Sequence, residues 1–121
     1  YNGQSGLDSI VLIKYSIPIG LNNQNTHLPE KIELFQNYPN PFNSTTRIKF
    51  NIPVNRESKK KFIAIDIYDI SGKLIQNLVT GEFKPGEYEI ELNVTGLASG
   101  VYFCILKTGS FLQTMKMVYL K

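Results

Sequence analysis

Short runs of alternating apolar and polar residues fill the chain from about residue 32 to its end, and turn-forming residues separate them. The clearest runs are residues 46–52, 63–68 and 88–92. A period of two places every second side chain on the same face of a β-strand, so each run has one face suited to burial. No segment shows a convincing helical period. The pattern therefore predicts an all-β protein.

Further segments complete a predicted set of about seven strands. A short strand is expected at 32–35, another at 73–75 after a turn at 69–72, and a final one at 111–120. Residues 101–106 are apolar on both faces, which is typical of a strand in the middle of a sheet. Short strands with turn signals about every 10 to 15 residues favour an antiparallel, immunoglobulin-like β-sandwich.

The composition divides the chain into three parts. Residues 1–17 contain an apolar run that favours a strand, residues 18–31 form a polar linker with proline, asparagine and glutamine, and residues 32–121 form the β domain. A length of 121 residues suits one domain with a tail. Because the chain begins with Tyr1 instead of Met, we expect it to be the C-terminal piece of a longer protein.

A double-proline segment lies at residues 36–43, ahead of the longer strands. Pro39 and Pro41 hold their own φ at about −65°, and each pushes the residue before it toward an extended conformation. Tyr38 and Phe42 place an aromatic ring at either end. The segment is a stiff entry into the sandwich, and a pre-ordered segment also binds a partner at a lower entropic cost. Both roles stay open.

Positive charge is concentrated in one stretch of a mildly basic chain. The net charge is +3, and residues 47–61 hold six basic residues against one acidic residue. Such a cluster suits a polyanion, but lysines on a hairpin also discourage pairing between sheet edges. No recognition helix or aromatic motif accompanies the charges, so we expect a solvated hairpin and no nucleic-acid partner. The apolar runs are too short for a transmembrane segment.

The residues that usually carry catalysis or bind metals do not cluster. His27, the only histidine, lies in the linker, and Cys104, the only cysteine, lies in the predicted central strand, where it suits a small buried residue. Glu87, Glu89 and Glu91 share one strand face, which we expect to be the solvent face of an edge hairpin. Phosphate, calcium and zinc motifs are absent. We therefore predict no enzyme, no metal and no cofactor.

Five short motifs follow one another in the β domain. They are LFQNYPNPFN at 34–43, IYDISGK at 67–73, GEY at 86–88, LASGVYF at 97–103 and KMVYLK at 116–121. Together they resemble the type A C-terminal sorting domains of proteins exported by the bacterial type IX secretion system. One such motif alone would be weak, but five in order up to the last residue make a specific resemblance.

The resemblance implies a function that the residues alone do not reveal. Such domains are immunoglobulin-like sandwiches that direct a folded cargo from the periplasm of a Gram-negative bacterium across the outer membrane. The implied partners are the type IX translocon and a sortase-like surface peptidase, which removes the domain and attaches the cargo to anionic lipopolysaccharide. The domain is then an address label on a secreted or cell-surface protein. Cleavage is expected in the exposed 18–31 linker.

The motifs also give the candidate sorting residues of this sequence. Gly72 suits the 69–72 turn, and Gly100 suits the start of the central strand, because both positions favour a permissive φ. The full set is Tyr38, Pro39, Asn40, Pro41, Asp69, Gly72, Gly100, Tyr102, Lys116, Val118 and Lys121. For Gly72, Gly100 and the segment 39–41, maintenance of the fold and contact with the translocon are the two alternatives.

Two other classes of function suit a β-sandwich. A carbohydrate-binding or adhesion domain retained on the mature protein needs an exposed aromatic platform, and the candidates are Tyr15, Tyr38, Tyr68 and Tyr102. The lack of tryptophan counts against it. A purely structural module would stabilise an upstream domain. Residues 1–17 resemble the last strand of a bacterial β-propeller repeat, which would be the end of such a domain.

Overall fold

The computed structural model describes residues 7–16 as backbone and residues 31–53, 60–94 and 96–121 in full. Eight strands are formed, and no helix occurs in these ranges. The strands are β1 (Leu7–Ser16), β2 (Glu33–Leu34), β3 (Thr45–Ile52), β4 (Lys61–Asp69), β5 (Leu74–Phe83), β6 (Gly86–Val94), β7 (Gly100–Thr108) and β8 (Phe111–Tyr119).

The strands pair antiparallel in two four-stranded sheets. Sheet A has the order β1-β6-β3-β2, and sheet B has the order β5-β4-β7-β8. The seven strands from β2 to β8 confirm the predicted all-β, immunoglobulin-like sandwich. β7 lies between β4 and β8, which confirms the central position predicted from its two apolar faces.

The core lies between the two sheets and takes every second side chain of most strands. Ile48 and Phe50 of sheet A and Ile63 and Ile65 of sheet B are fully buried. Cys104 is buried with them, as predicted. Burial raises the pKa of the Cys104 thiol to about 12, so the thiol stays protonated at neutral pH and suits the core, not nucleophilic attack.

β1 pairs with β6 from end to end. Leu7 lies opposite Val94, and Ser16 lies opposite Glu87. The strand predicted within residues 1–17 is therefore present, and it forms an edge of sheet A. Residues 18–30 of the predicted linker, His27 among them, lie outside the described residues. The boundaries of the three predicted parts therefore stay predictions.

The prediction that the glutamates of β6 form the solvent face of an edge hairpin is wrong. β6 lies between β1 and β3, so it is not an edge strand. Glu87 is exposed and Glu91 is half-buried, but Glu89 is only 7% exposed. Glu89 Oε2 lies 3.8 Å from Arg47 Nη1, which supplies a partner for the buried carboxylate. The prediction failed because β1, which makes β6 an interior strand, comes from beyond the predicted linker.

The basic residues of β3 face these glutamates across sheet A. Arg47 pairs with Glu91, and Lys49 pairs with Glu89, in the register of the two strands. Opposite charges on neighbouring strands stabilise a sheet modestly and offset the local positive excess. Residues 54–59 of the basic stretch lie outside the described residues. The part of the stretch on β3 thus forms a mixed-charge surface.

Two kinds of feature are absent from the described residues. Histidine, cysteine and carboxylate side chains do not come together in threes as metal ligands within 31–53, 60–94 and 96–121. In the same part of the chain, no helix has the length and apolar character needed to cross a membrane.

Candidate functional site at the C-terminal pole

Four of the five motifs meet at one end of the sandwich. Asp69, at the end of β4, pairs with Tyr102 of β7, and Gly100, at the start of β7, pairs with Tyr119 of β8. An isolated bridge joins Phe42 to Tyr119. We call this end, where β4 and β8 finish and β7 begins, the C-terminal pole. Residues far apart in the sequence thus share one surface.

The segment 36–42 runs along the edge of β8 that faces away from β7. The Phe42 N–H donates to the Val118 carbonyl at 3.0 Å, and the Leu120 N–H donates to the Phe42 carbonyl at 2.8 Å. The Phe42 ring is buried, with its centroid 5.3 Å from that of Tyr119. The end of the last strand is therefore fixed to the double-proline segment by both backbone and core contacts.

Two amide side chains extend this attachment. Asn40 Oδ1 accepts a hydrogen bond from the Val118 N–H at 2.9 Å, and Gln36 Nε2 donates to the Lys116 carbonyl at 2.7 Å. We call residues 36–42, bound in this way to β8, the clasp. An edge strand presents unpaired backbone groups that invite pairing with another chain. The clasp occupies such groups on β8 close to the pole.

Asn37 and Thr46 hold the clasp from the inside. Asn37 is buried, and its Nδ2 donates to the Pro39 carbonyl at 3.0 Å and to Thr46 Oγ1 at 2.9 Å. The Thr46 hydroxyl donates to the same Pro39 carbonyl at 2.9 Å. Buried polar groups with their hydrogen bonds made favour a single local conformation. This small network fixes the shape of the double-proline segment.

The outer side of the same segment is open to solvent. Tyr38 pairs with Arg47 through two backbone hydrogen bonds of 3.0 and 2.9 Å, yet the residue is 79% exposed. Pro39, Asn40 and Pro41 are also exposed, and the peptide bonds before both prolines are cis. Within one motif, some side chains therefore build the fold, and Tyr38 presents its ring at the surface.

The turn between β4 and β5, predicted at 69–72, is confirmed and is organised by one carboxylate oxygen. Asp69 Oδ1 accepts hydrogen bonds from the Ser71 N–H at 2.9 Å, the Ser71 hydroxyl at 2.7 Å and the Lys73 N–H at 3.0 Å. The Ser71 hydroxyl, then the Lys73 backbone, lower the pKa of Asp69 from its usual value. Gly72 has a φ of +90°, which favours glycine.

β7 and β6 begin with the same local arrangement. Gly100 and Gly86 have φ angles of +155° and +153°, and a tyrosine follows two residues later in each strand. Each tyrosine hydroxyl donates to the carbonyl four positions upstream, at 2.7 Å for Tyr102 and 2.8 Å for Tyr88. This contact resembles the tyrosine corner of β-sandwiches. Tyr102 is buried and ties the start of β7 to the preceding loop.

The last residues of the chain combine fixed backbone with exposed charge. The Lys121 N–H donates to Ser99 Oγ at 2.8 Å. Lys116 and Lys121 are exposed, and Val118 is half-buried on the outer face of sheet B. The candidate sorting residues are therefore gathered around the clasp and the C-terminal pole.

Some residues that hold the clasp and β2 in place were not predicted from the sequence. Gln36, Asn37 and Thr46 form the contacts described above, and Gln113 binds both the N–H and the carbonyl of Leu34, at 3.0 and 2.9 Å. Gln36 and Asn37 lie inside the motif at 34–43, and that position could have identified them as candidates. Thr46 shares the predicted buried face of its strand with Ile48, which indicated its burial but not its hydrogen-bond partners. Gln113 gave no signal, because a polar residue in a strand usually faces solvent.

The tyrosines proposed as a sugar-binding platform lie on different surfaces. Tyr38 is exposed beside sheet A, Tyr68 is half-buried on the outer face of sheet B, and Tyr102 is buried. The side chain of Tyr15 lies outside the described residues. A groove of about 580 Å³ beside Tyr38 is lined mainly by polar side chains of β3 and β6. The three described tyrosines therefore share no platform.

Comparison with known protein families gives a match that covers most of the chain. Residues 36–120 match the family model of the secretion system C-terminal sorting domain. Gln36, the first residue of the matched interval, binds Lys116 near its end. Leu120, the last residue, binds Phe42 near its beginning. No curated protein sequence matches the chain.

Proposed function

The chain belongs to the family of secretion-system C-terminal sorting domains, and on that basis we propose how this sandwich acts as a sorting signal. The domain is a C-terminal sorting signal for type IX secretion, so the protein that carries it is secreted or displayed at the cell surface. The family is non-catalytic, and we assign no enzymatic activity to the domain.

In this proposal the type IX translocon recognises the domain by binding the C-terminal pole. The observation that carries it is the clasp, which joins the two ends of the family match: Gln36 binds Lys116, and Phe42 binds Leu120. Asn40, Asp69, Gly72, Gly100 and Tyr102 build the pole. The side chains offered to the translocon are then the exposed or half-buried ones: Tyr38, Pro39, Pro41, Lys116, Val118 and Lys121.

Export of a reporter tests this function. A periplasmic reporter fused ahead of residues 1–121 should appear outside a host that has type IX secretion, and should stay in the periplasm of an otherwise identical host without the translocon. The reporter without the domain is the control in both hosts. A fusion that remains in the periplasm of both hosts would show that the domain is not a sufficient sorting signal.

Later processing is also part of the proposal and follows the type A subtype. A sortase-like surface peptidase cuts within the 18–31 linker, and the cargo, after passing through the periplasm, is attached to anionic lipopolysaccharide. The polar composition of the linker supports cleavage there. Intact-mass measurement of the exported reporter should show an end within 18–31 and a heterogeneous added mass. An exported reporter that still carries the β domain would contradict this step.

Residues 1–17 are proposed to end an upstream β-propeller domain of the cargo. The support is their sequence likeness to a propeller strand, although β1 pairs with β6 in this chain. If β1 belongs to an upstream domain, a chain of residues 18–121 should keep nearly the melting temperature of residues 1–121. A large loss of thermal stability would instead make β1 an integral strand of the sandwich.

A further inference from the structure

The outer face of sheet B breaks the alternation expected of a sheet that faces water. Antiparallel sheets usually place apolar side chains inward and polar ones outward. In β7 the residues at 102, 104 and 106 are buried in the core. The residues between them, Val101, Phe103 and Ile105, therefore face outward, and all three are half-buried and apolar.

The apolar surface continues onto the neighbouring strands. Phe103 pairs with Tyr68 of β4, which pairs with Leu74 of β5, and Val101 pairs with Val118 of β8. Leu74 is 52% exposed. No strand in the described part of the chain packs against this face. We call these residues the sheet B patch: Tyr68, Leu74, Val101, Phe103, Ile105 and Val118.

The charged groups beside the patch indicate what it can bind. Lys107 Nζ lies 3.7 Å from Asp66 Oδ2, and Asn77 Nδ2 donates to Asp66 Oδ1 at 2.6 Å, so these charges are satisfied within the domain. Lys116 lies opposite Phe103 on β8, is exposed, and forms no ion pair with another described residue. A complementary surface therefore needs an apolar centre and a carboxylate facing Lys116.

A second copy of the chain is a poor match for this surface. Its own patch offers Asp66 as the carboxylate, and that group is already bound by Lys107 and Asn77. We infer that the sheet B patch is the docking surface for a different protein, one that presents an apolar surface with a carboxylate facing Lys116. This inference rests on the proposed function in placing that protein in the export machinery. Contact with that protein would then involve the outer face of sheet B as well as the C-terminal pole, and the two surfaces meet at Lys116 and Val118.

The reporter fused to residues 1–121 provides the test. Phe103→Thr combined with Ile105→Thr removes apolar area from the patch and places threonine, which favours strands, at both positions. Loss of a central apolar anchor should lower export about tenfold or more. The matched control is Lys49→Thr combined with Asn51→Thr, at outward positions of an interior strand in sheet A. The control should be exported normally.

A charge change at one exposed position gives a second readout that does not depend on core packing. Lys116→Glu should lower export because it opposes the partner's carboxylate, and Lys116→Arg should preserve it. The backbone contact of Lys116 with Gln36 is kept in both variants. Melting temperatures of the purified chains should match the wild type for both. If the double variant at 103 and 105 fails to fold, Leu74→Thr decides the question. Leu74 is a patch residue that is 52% exposed and is not among the side chains offered at the pole, so its substitution should also lower export.

The outcomes separate this inference from the sorting function itself. If the wild-type fusion is exported and the patch and Lys116→Glu variants are exported equally well, the docking surface is wrong and the sorting function stands. If the wild-type fusion is not exported, the sorting function is contradicted. A purified chain that forms dimers, dissociated by Phe103→Thr, would also overturn the inference in favour of self-association.

Discussion

At the scale of single residues, the clasp shows why a short polar side chain stands between two prolines. Proline has no N–H to donate, so Pro39 and Pro41 cannot continue a ladder of backbone hydrogen bonds through their nitrogens. Asn40 supplies a side-chain oxygen in place of a strand carbonyl and accepts from the Val118 N–H. The edge of β8 is thereby covered without a regular strand beside it.

Replacing Asn40 by alanine should loosen the end of β8. The Val118 N–H would lose its acceptor, and the free energy of unfolding should fall by about 1 kcal/mol. Asn43→Ala is the matched control, because Asn43 is exposed and makes no side-chain hydrogen bond to a described residue. Thermal unfolding and amide exchange at Val118 measure the effect. Equal exchange rates in the two variants would contradict the clasp.

Asp69 should make the stability of the turn depend on pH. Hydrogen bonds to its ionised form lower its folded pKa, so its contribution is complete above the ordinary value of 3.8 and is lost as the pH falls through the folded pKa. The wild type should therefore melt above Asp69→Asn at neutral pH, and the gap should close below pH 3.8. A gap that stays constant over this range would show that the carboxylate charge has no role.

At the scale of strands, β6 and β7 depend on a tyrosine hydroxyl near their first residues. The Tyr102 hydroxyl binds the carbonyl of Ala98 in the loop that leads to the pole. Tyr102→Phe should lower the free energy of unfolding by about 1 kcal/mol, because the ring still fills the core but the hydrogen bond to the Ala98 carbonyl is lost.

Tyr38→Phe is the control for this prediction. Tyr38 is 79% exposed, so loss of its hydroxyl should leave the melting temperature unchanged. Thermal unfolding of both purified variants provides the comparison. Equal melting temperatures for Tyr102→Phe and the wild type would contradict the assigned role of the corner.

The strands themselves could be predicted because alternation is a local property of the sequence. β3, β4 and β7 follow their predicted runs, and the apolar faces of residues 101–106 place β7 in the middle of a sheet. The burial of Glu89 could not be predicted, because it depends on where β1 pairs. The alternation specifies which face of a strand is buried, but it does not specify the neighbouring strand.

At the scale of the whole molecule, the domain has two unlike faces and two unlike ends. Sheet A presents opposite charges in register, and sheet B presents an apolar patch. The order of the motifs predicted the family, but not that four of them meet at one pole. The clasp contacts join residues 78 to 80 positions apart, and no local pattern reports contacts over that distance.

The central claim is that the translocon recognises the C-terminal pole. Its most direct test is to delete residues 116–121 from the fusion and to measure the fraction of reporter found outside the cell. We predict that this fusion stays in the periplasm, because the deletion removes the end of β8 and the clasp hydrogen bonds made by Lys116, Val118 and Leu120. A fusion with Lys60→Ala and Lys84→Ala, exposed positions at the opposite end of the sandwich, should be exported normally. Normal export of the shortened fusion would contradict the account.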